Sequence, residues 1–268
     1  MSQIELTVII PTRNRADALA TAIDAVGKNT KLSHEIIVCD GASSDHTDRV
    51  LAEAKRKLGG SLRVIREEKP RGFVRGVNGG FRAARGRYIT WLNDDARPMF
   101  SAYDNAVAQL AASPASVAFV ALFHRHHGTK NVAFEQQFGD EKFQLLHVRG
   151  TLYANFCVGR RETFESLGYF DEGYWMYAAD PDLSLKAWSC GKQVVPGWTS
   201  AIDHDEADDE NRLANTPQMH LDNERLFDKW ALPPKNLLRN DFDPNRPCTL
   251  LVSQPRFFEG ESSRGKAA

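Results

Sequence analysis

"ELTVIIPTRNRADALATAIDAVGKN", residues 5–29, decides the fold. Residues 5–12 form a short β-branched run of strand length, and residues 15–29 carry a helical pattern. The same alternation continues through the first hundred residues. It passes through "HEIIVCDG" (34–41), "DHTDRVLAEAKRKLGG" (45–60), "LRVIREE" (62–68), "GGFRAARG" (79–86) and "RYITWLND" (87–94). Strands fed by helices at this spacing predict βαβ units, hence an α/β domain with a Rossmann-like, mostly parallel sheet flanked by helices.

From about residue 113 the rhythm changes. "SVAFVALFHRH" (116–126) is followed by a polar stretch, "HHGTKNVAFEQQFGDEKF" (126–143), read as a loop. A strand-like "LLHVRGTLYANFCVG" (145–159), a short helix "RRETFESLG" (160–168) and a helix opening at "DPDLSLKAWSCG" (180–191) come next. This half reads as a mixed extension of the same sheet. After Trp230 the chain is rich in Pro, Asn and Arg, and "EGESSRGKAA" (259–268) reads as a flexible tail.

Composition narrows the partners. With 34 basic and 35 acidic side chains in 268 residues, the balance gives no argument for nucleic acid or for strong electrostatic docking on a membrane. Cys39, Cys157, Cys190 and Cys248 are scattered without CxxC spacing and read as free thiols of a reducing compartment. No leader pattern and no membrane-spanning apolar run is read, so the expectation is a cytoplasmic protein, with peripheral placement at the inner face of a membrane left open.

Ligands of open α/β sheets bind beyond the carboxyl ends of the strands, near the reversal of strand order. That rule gathers "PTRNR" (11–15), Asp40 and the run Asn93-Asp94-Asp95 in one crevice. A dinucleotide fingerprint needs GxGxxG after the first strand, where this chain has no glycine; the GxxxxGK[ST] phosphate loop is also absent. Three adjacent polar groups at a strand end repel one another and cost desolvation unless something positive meets them. Asp94 and Asp95 offer hard oxygen ligands of the kind that share Mg2+ or Mn2+ with a diphosphate. The plainer reading is a solvated turn, since Asp and Asn are common turn residues.

A second acidic constellation lies in "GYFDEGYWMYAADPDLSLKAW" (168–188). Asp180 precedes Pro181, which suits the first helical position, so Asp180 reads as an N-cap. A carboxylate at a cleft mouth is also a general-base candidate, kept ionised by the helix dipole. Both roles can hold at once.

These segments together resemble a family 2 glycosyltransferase of the GT-A fold, of the inverting, rhamnosyltransferase-like polysaccharide type. "VIIPTRNRADAL" is similar to that family's opening strand and nucleotide loop, and "EIIVCDGASSDHT" to its second strand and turn. "RGFVRGVNGGFRAARGRYITWLNDDARP" resembles the segment ending in a DxD-like metal motif, and "ESLGYFDEGYWMYAADPDLSLKAW" the acceptor-side motif. The resemblance covers residues 4–232 and implies one GT-A domain over 1–232, with a nucleotide-sugar half at 1–112 and an acceptor half at 113–232. Residues 233–268 then form an extension.

The resemblance also implies roles. Asp40 contacts the nucleobase, and Pro11, Thr12, Arg13 and Arg15 wrap the nucleoside. Arg75 and Asn78 run beneath diphosphate and ribose. Asp95, helped by His204, holds a divalent cation (Mn2+ or Mg2+), while Asn93 and Asp94 touch ribose or sugar. Asp180 is the catalytic base, and Trp175 and Tyr174 are acceptor contacts. Two departures stand out: Ala179 occupies the place of an acidic residue just before the base, and Asn93 that of a common Asp.

The implied reaction is inverting transfer of a sugar from a UDP- or dTDP-linked donor to a hydroxyl of a glycan or lipid-linked acceptor, in bacterial surface glycan synthesis. A sugar nucleotidyltransferase would want a glycine-rich loop that "PTRNR" lacks. A non-catalytic sugar-nucleotide-binding protein is the other alternative, with Ala179 its one hint. "HRHH" (124–127) reads as a solvated turn rather than a second metal site.

Overall fold

The computed structural model describes residues 4–125, 131–204 and 215–232. The opening stretch forms β1 (Leu6–Thr12) and α1 (Ala16–Asn29). The alternation continues as β2 (His34–Asp40), α2 (Thr47–Leu58), β3 (Leu62–Arg66), α3 (Phe73–Ala83) and β4 (Tyr88–Trp91). A short β5 (Ala96–Pro98) and α4 (Ala102–Ala112) lead to the long buried strand β6 (Val117–His124). Then follow β7 (Val132–Phe138), β8 (Glu141–Val148), β9 (Thr151–Leu152), β10 (Val158–Arg160), α5 (Arg161–Ser166), α6 (Ala179–Ser189), β11 (Gln193–His204) and α7 (Thr216–Lys229).

The main sheet runs in the order β3-β2-β1-β4-β10-β6-β11-β5. Strands β3, β2, β1 and β4 are parallel; β10 is antiparallel to both neighbours, and β5 to β11. The chain goes one way from β1 to β2 and the other way to β4, so the reversal of strand order falls at the carboxyl end of β1. Helices α1, α2 and α4 bury one face of the sheet, and α3, α5, α6 and α7 bury the other. This is the expected α/β architecture with a mixed extension. The expected division at residues 112 and 113 falls between α4 and β6, and one continuous sheet crosses it. The tail from residue 233 onward lies outside the described residues.

Three local elements differ from the sequence expectation. The helix expected at 79–86 is α3, which begins at Phe73. Its buried face of Val74, Val77 and Phe81 outweighs the helix cost of its glycines. Gly80 lets the helix sit close on the sheet, because a Cβ there would come within 2.5 Å of the Ile9 side chain. The polar stretch read as a loop contains β7 and the start of β8. Among the described residues strand β7 pairs only with β8, and it lies half-exposed, which permits Glu135, Gln136 and Gln137 in its middle. In "HRHH", His124 is not in a turn: it is the buried last residue of β6, with its ring against Phe156. Arg125 pairs with Asp203 at 2.8 Å and with Glu141, and His126 and His127 lie outside the described residues.

Strand β11, which carries Pro196 and Gly197 and shifts register beyond them, and helix α7 are absent from the element pattern read above. Helix α7 is fixed by a buried charge cluster. Lys229 is 0% exposed, and its Nζ donates to Asp171 Oδ2 at 2.9 Å and to Asp182 Oδ2 at 3.0 Å. Trp230 Nε1 donates to Asp182 Oδ1 at 2.7 Å, Tyr174 Oη to the same oxygen at 3.2 Å, and Arg225 to Asp171 at 2.8 Å. Burial pushes the Asp171 carboxyl up, but Lys229, the Gly173 N–H and Arg225 outweigh it and hold the group at about 2.

Lys229→Met should therefore lower the melting midpoint by about 10 °C, because removing one partner of a buried ion pair costs roughly 3–5 kcal/mol. Calorimetric melts at neutral pH test this, and an unchanged midpoint would contradict it. The Asp171 contribution is fully present above the unfolded carboxyl value of about 4 and is lost as pH falls toward about 2.

Candidate active site

The loops after β1 and β2 are stitched together. Asn14 has φ +53°, a left-handed conformation that Asn tolerates, and its N–H donates to Ser43 Oγ while its Oδ1 accepts the Ser44 N–H. Helix α1 is capped from outside itself: Asp45 Oδ2 accepts the Ala16 N–H at 3.0 Å. Arg15, just before α1, is thus relieved of capping and turns across to β4.

That side chain answers the question raised by the acidic run. Arg15 Nη1 donates to Asp95 Oδ2 at 2.8 Å and to Asp94 Oδ1 at 3.2 Å. Thr12 Oγ1 donates to Asp94 Oδ2 at 2.7 Å. Asp94 is only 6% exposed, and burial raises its carboxyl to about 6 against the pull of Arg15 and Thr12. Burial also pushes Asp95 upward, but His204 and Arg15 outweigh it, so its value is lowered. Asp95 Oδ1 is buried and faces Nε2 of His204 at 3.2 Å, and Asn93 Nδ2 lies 3.4 Å from the same nitrogen. The pairing of β11 with β5 places His204 opposite Ala96, at the end of the acidic run. The His204 ring packs against Phe156, with centroids 5.3 Å apart.

The opposite wall comes from the segment before α6. Asp222 of α7, buried, accepts the backbone N–H groups of Trp175 at 3.1 Å, Met176 at 2.9 Å and Tyr177 at 2.8 Å. One carboxylate thereby folds three successive peptides into a bend that faces the cleft. Gly72, at φ +88°, lies under Trp175, and a Cβ there would meet the Trp175 carbonyl at 2.6 Å and its ring at 2.7 Å. The bend closes at Ala178, φ +63°, from which α6 starts.

Asp180 therefore sits in the first turn of α6 and is not its N-cap. Pro181 follows within that turn, where a missing N–H costs nothing. Burial raises the Asp180 carboxyl to about 6, against one backbone hydrogen bond that lowers it. Desolvation is thus the largest influence on this carboxyl, which still ionises below neutral pH.

A cavity of about 410 Å³ brings Pro11, Thr12, Arg13, Arg15, Asn93, Asp94, Asp95, Trp175, Asp180 and His204 together. Four expected residues are placed elsewhere. Asp40 is wholly buried behind the wall, where Oδ1 accepts the Ser43 N–H and Oδ2 faces Arg66 at 3.3 Å; its neighbours Cys39 and Gly41 form the lining. Asn78 is wholly buried and brackets the backbone of Phe170 with both ends of its amide. Arg75 pairs with Glu172 at 3.7 Å, outside the lining. Tyr174 is wholly buried with its hydroxyl on Asp182, so it is not available to an acceptor, and Tyr177 faces the cleft in its place.

Several lining groups lie outside the sequence expectations. Glu67 lines the cavity at the end of β3, and its oxygens accept the Arg71 N–H at 3.0 Å and Arg71 Nε at 3.1 Å. Their position just past a parallel strand was the available signal. Asn155 also lines the cavity, and nothing in its local sequence marks it. Among the described residues Cys39, Cys157 and Cys190 are free thiols, and no helix is long and apolar enough to cross a membrane.

Comparison with known proteins agrees with this geometry. The chain is 27% identical over 222 residues to polypeptide N-acetylgalactosaminyltransferase 5 of Caenorhabditis elegans, covering 71% of this chain but 35% of that protein. It is 25% identical over 255 residues to the uncharacterized glycosyltransferase YwdF of Bacillus subtilis (strain 168), covering 87% and 88% of the two chains. The crystal structure of GalNAc-T7 with UDP, GalNAc and Mn2+ superposes with a TM-score of 0.68 at 17% identity, over 85% of this chain and 48% of that one, and shares its fold. Residues 7–170, well over half of the chain, match the family described as "Glycosyl transferase family 2". With its sheet order, its cleft at the strand reversal and this match, the chain belongs to glycosyl transferase family 2 and is a glycosyltransferase of the GT-A fold.

Proposed function

We propose that the chain transfers a sugar from a nucleoside diphosphate sugar, UDP- or dTDP-linked, to an acceptor hydroxyl with inversion at the anomeric carbon. One observation carries this reading: the Asp94–Asp95–His204 cluster and Asp180, whose carboxyl is raised toward neutrality, line the same cavity. The GalNAc-T7 structure, bound to UDP and Mn2+, supports a donor of this class in this fold.

The residues suit a divalent cation. A buried carboxylate oxygen and an imidazole nitrogen converge at Asp95 and His204; the carboxylate suits Mn2+ or Mg2+, and the added nitrogen favours Mn2+ over Mg2+, which takes oxygen ligands. Among the described residues no three His, Cys, Asp or Glu side chains are placed to hold a metal ion by themselves, so diphosphate oxygens and water would complete the shell. Held there, the ion would supply positive charge to the departing diphosphate.

The chain's own groups then divide the work. Pro11, Thr12 and Arg13 wall the nucleoside, with Glu67 and Arg71 as the polar groups nearest a base ring; these two take the place proposed from the sequence for Asp40. Asn93 and Asp94 face ribose and sugar. Trp175 and Tyr177 supply an apolar platform for the acceptor. Asp180 accepts the proton of the acceptor hydroxyl as its oxygen attacks the anomeric carbon opposite the leaving diphosphate. A raised carboxyl value serves that step, because a base is most effective with its pKa near the working pH. Sugar binding alone requires no such group, which favours catalysis over a non-catalytic binding protein. A glycan or lipid-linked acceptor, as in surface polysaccharide synthesis, would bring the chain to the inner face of a membrane.

Calorimetry with UDP, dTDP and GDP, with and without Mn2+, is expected to give Mn2+-dependent binding of one nucleotide that Asp95→Ala abolishes. No binding of any of them would overturn the reading. Asp180→Asn should lower transfer by about 10²–10⁴-fold at unchanged nucleotide affinity. In the wild type kcat/KM should rise with pH through about 6, because the ionised carboxylate is the active form. Asp94 ionises in the same window, so nucleotide affinity in Asp180→Asn should keep part of that dependence. Trp175→Ala should raise the acceptor KM more than the donor KM, and equal changes would remove Trp175 from the acceptor platform.

A further inference from the structure

Arg15 holds an unusual place in this cleft. Its Nη1 lies 2.8 Å from Asp95 Oδ2 and 3.2 Å from Asp94 Oδ1, between the two carboxylates. A divalent cation coordinated by Asp95 would sit beside that guanidinium, and two positive charges at such separation in a partly desolvated site repel strongly. Guanidinium and metal ion are thus alternative answers to the same pair of negative charges. The backbone beneath Arg15 is fixed by the Asp45 cap on Ala16 and by the Asn14 contacts, while its side chain keeps 22% exposure. It can therefore leave the carboxylates by rotating side-chain torsions alone. A freed guanidinium at the floor of the cleft is a planar fork that matches two phosphate oxygens.

We propose that Arg15 is the resident counter-cation of the Asp94–Asp95 pair, that a divalent cation enters as this guanidinium swings away, and that the guanidinium then pairs with the donor's diphosphate. The proposal rests on the donor-site reading above and adds an order to it. Metal and diphosphate bind together because each relieves the cost of moving Arg15. Metal alone binds weakly, since it must displace the guanidinium from both carboxylates.

Mn2+ alone is titrated into wild type, Arg15→Met and Arg15→Lys, with free Mn2+ read by electron paramagnetic resonance. UDP is then titrated at saturating Mn2+. Arg15→Met should bind Mn2+ about tenfold more tightly than wild type yet bind UDP about tenfold more weakly, the size of one lost ion pair in each direction. Arg15→Lys, which keeps the charge without the fork, should fall between, and it carries the comparison should the Met variant not fold. Mn2+ affinity no tighter in either variant, or Mn2+ binding detectable in none of the proteins, overturns the proposal. Tighter Mn2+ with unchanged UDP removes the diphosphate contact. Absence of binding of UDP, dTDP and GDP alike by wild type at any Mn2+ concentration overturns the donor-site reading instead, and the Mn2+ arm still decides the role of Arg15.

Discussion

The positive charge of Lys229, buried between Asp171 and Asp182, is the constraint on which the cleft wall at residues 175–180 depends. Two carboxylates at this depth are tolerated only with compensating charge and filled lone pairs. Lys229, Arg225, Tyr174 and Trp230 supply both. Because Asp182 lies on α6 and Asp171 in the turn before it, the cluster ties both to α7. Asp222 on the same helix then folds the 175–177 segment toward the cleft. Asp180, two residues before Asp182, takes its position from this packing.

The other wall follows a different logic. Its carboxylates stand at the end of β4, where the parallel sheet reverses order, and their charge is met from the β1 loop by Arg15 and from the end of β11 by His204. Three elements remote in sequence converge on one acidic pair. Near-neutral carboxyl values on both sides of the cavity, Asp94 on one and Asp180 on the other, arise from the same cause, desolvation. A cleft dry enough to raise a carboxyl is also one in which a fixed charge acts strongly on a leaving group.

Much of this was legible in the sequence where a residue's role follows from its place along a strand or loop. The β1–β4 alternation and the end-of-strand positions of Thr12, Arg15, Asp94 and Asp95 came from periodicity and the strand-end rule. What failed was orientation. Asp40 and Tyr174 occupy the expected positions in sequence, but strand and bend direct their side chains into the protein, toward Ser43 and Asp182. Asn78, expected in the donor floor, instead holds the Phe170 backbone. Helix α7 is illegible in the sequence because its decisive residues, Asp222, Arg225 and Lys229, look like an ordinary charged surface until their partners are known. Strand β7 looks like a loop in the sequence because its edge position permits a polar sequence.

The most direct test is a crystal structure of the chain with UDP and Mn2+. The diphosphate should lie between Arg15 and an ion held by Asp95 and His204, with the uracil against the wall of Pro11, Glu67 and Arg71 and with Asp180 facing open space beyond the β-phosphate. Nucleotide bound outside this cavity, or bound within it with Asp95 and His204 far from both ion and phosphate, would contradict the account.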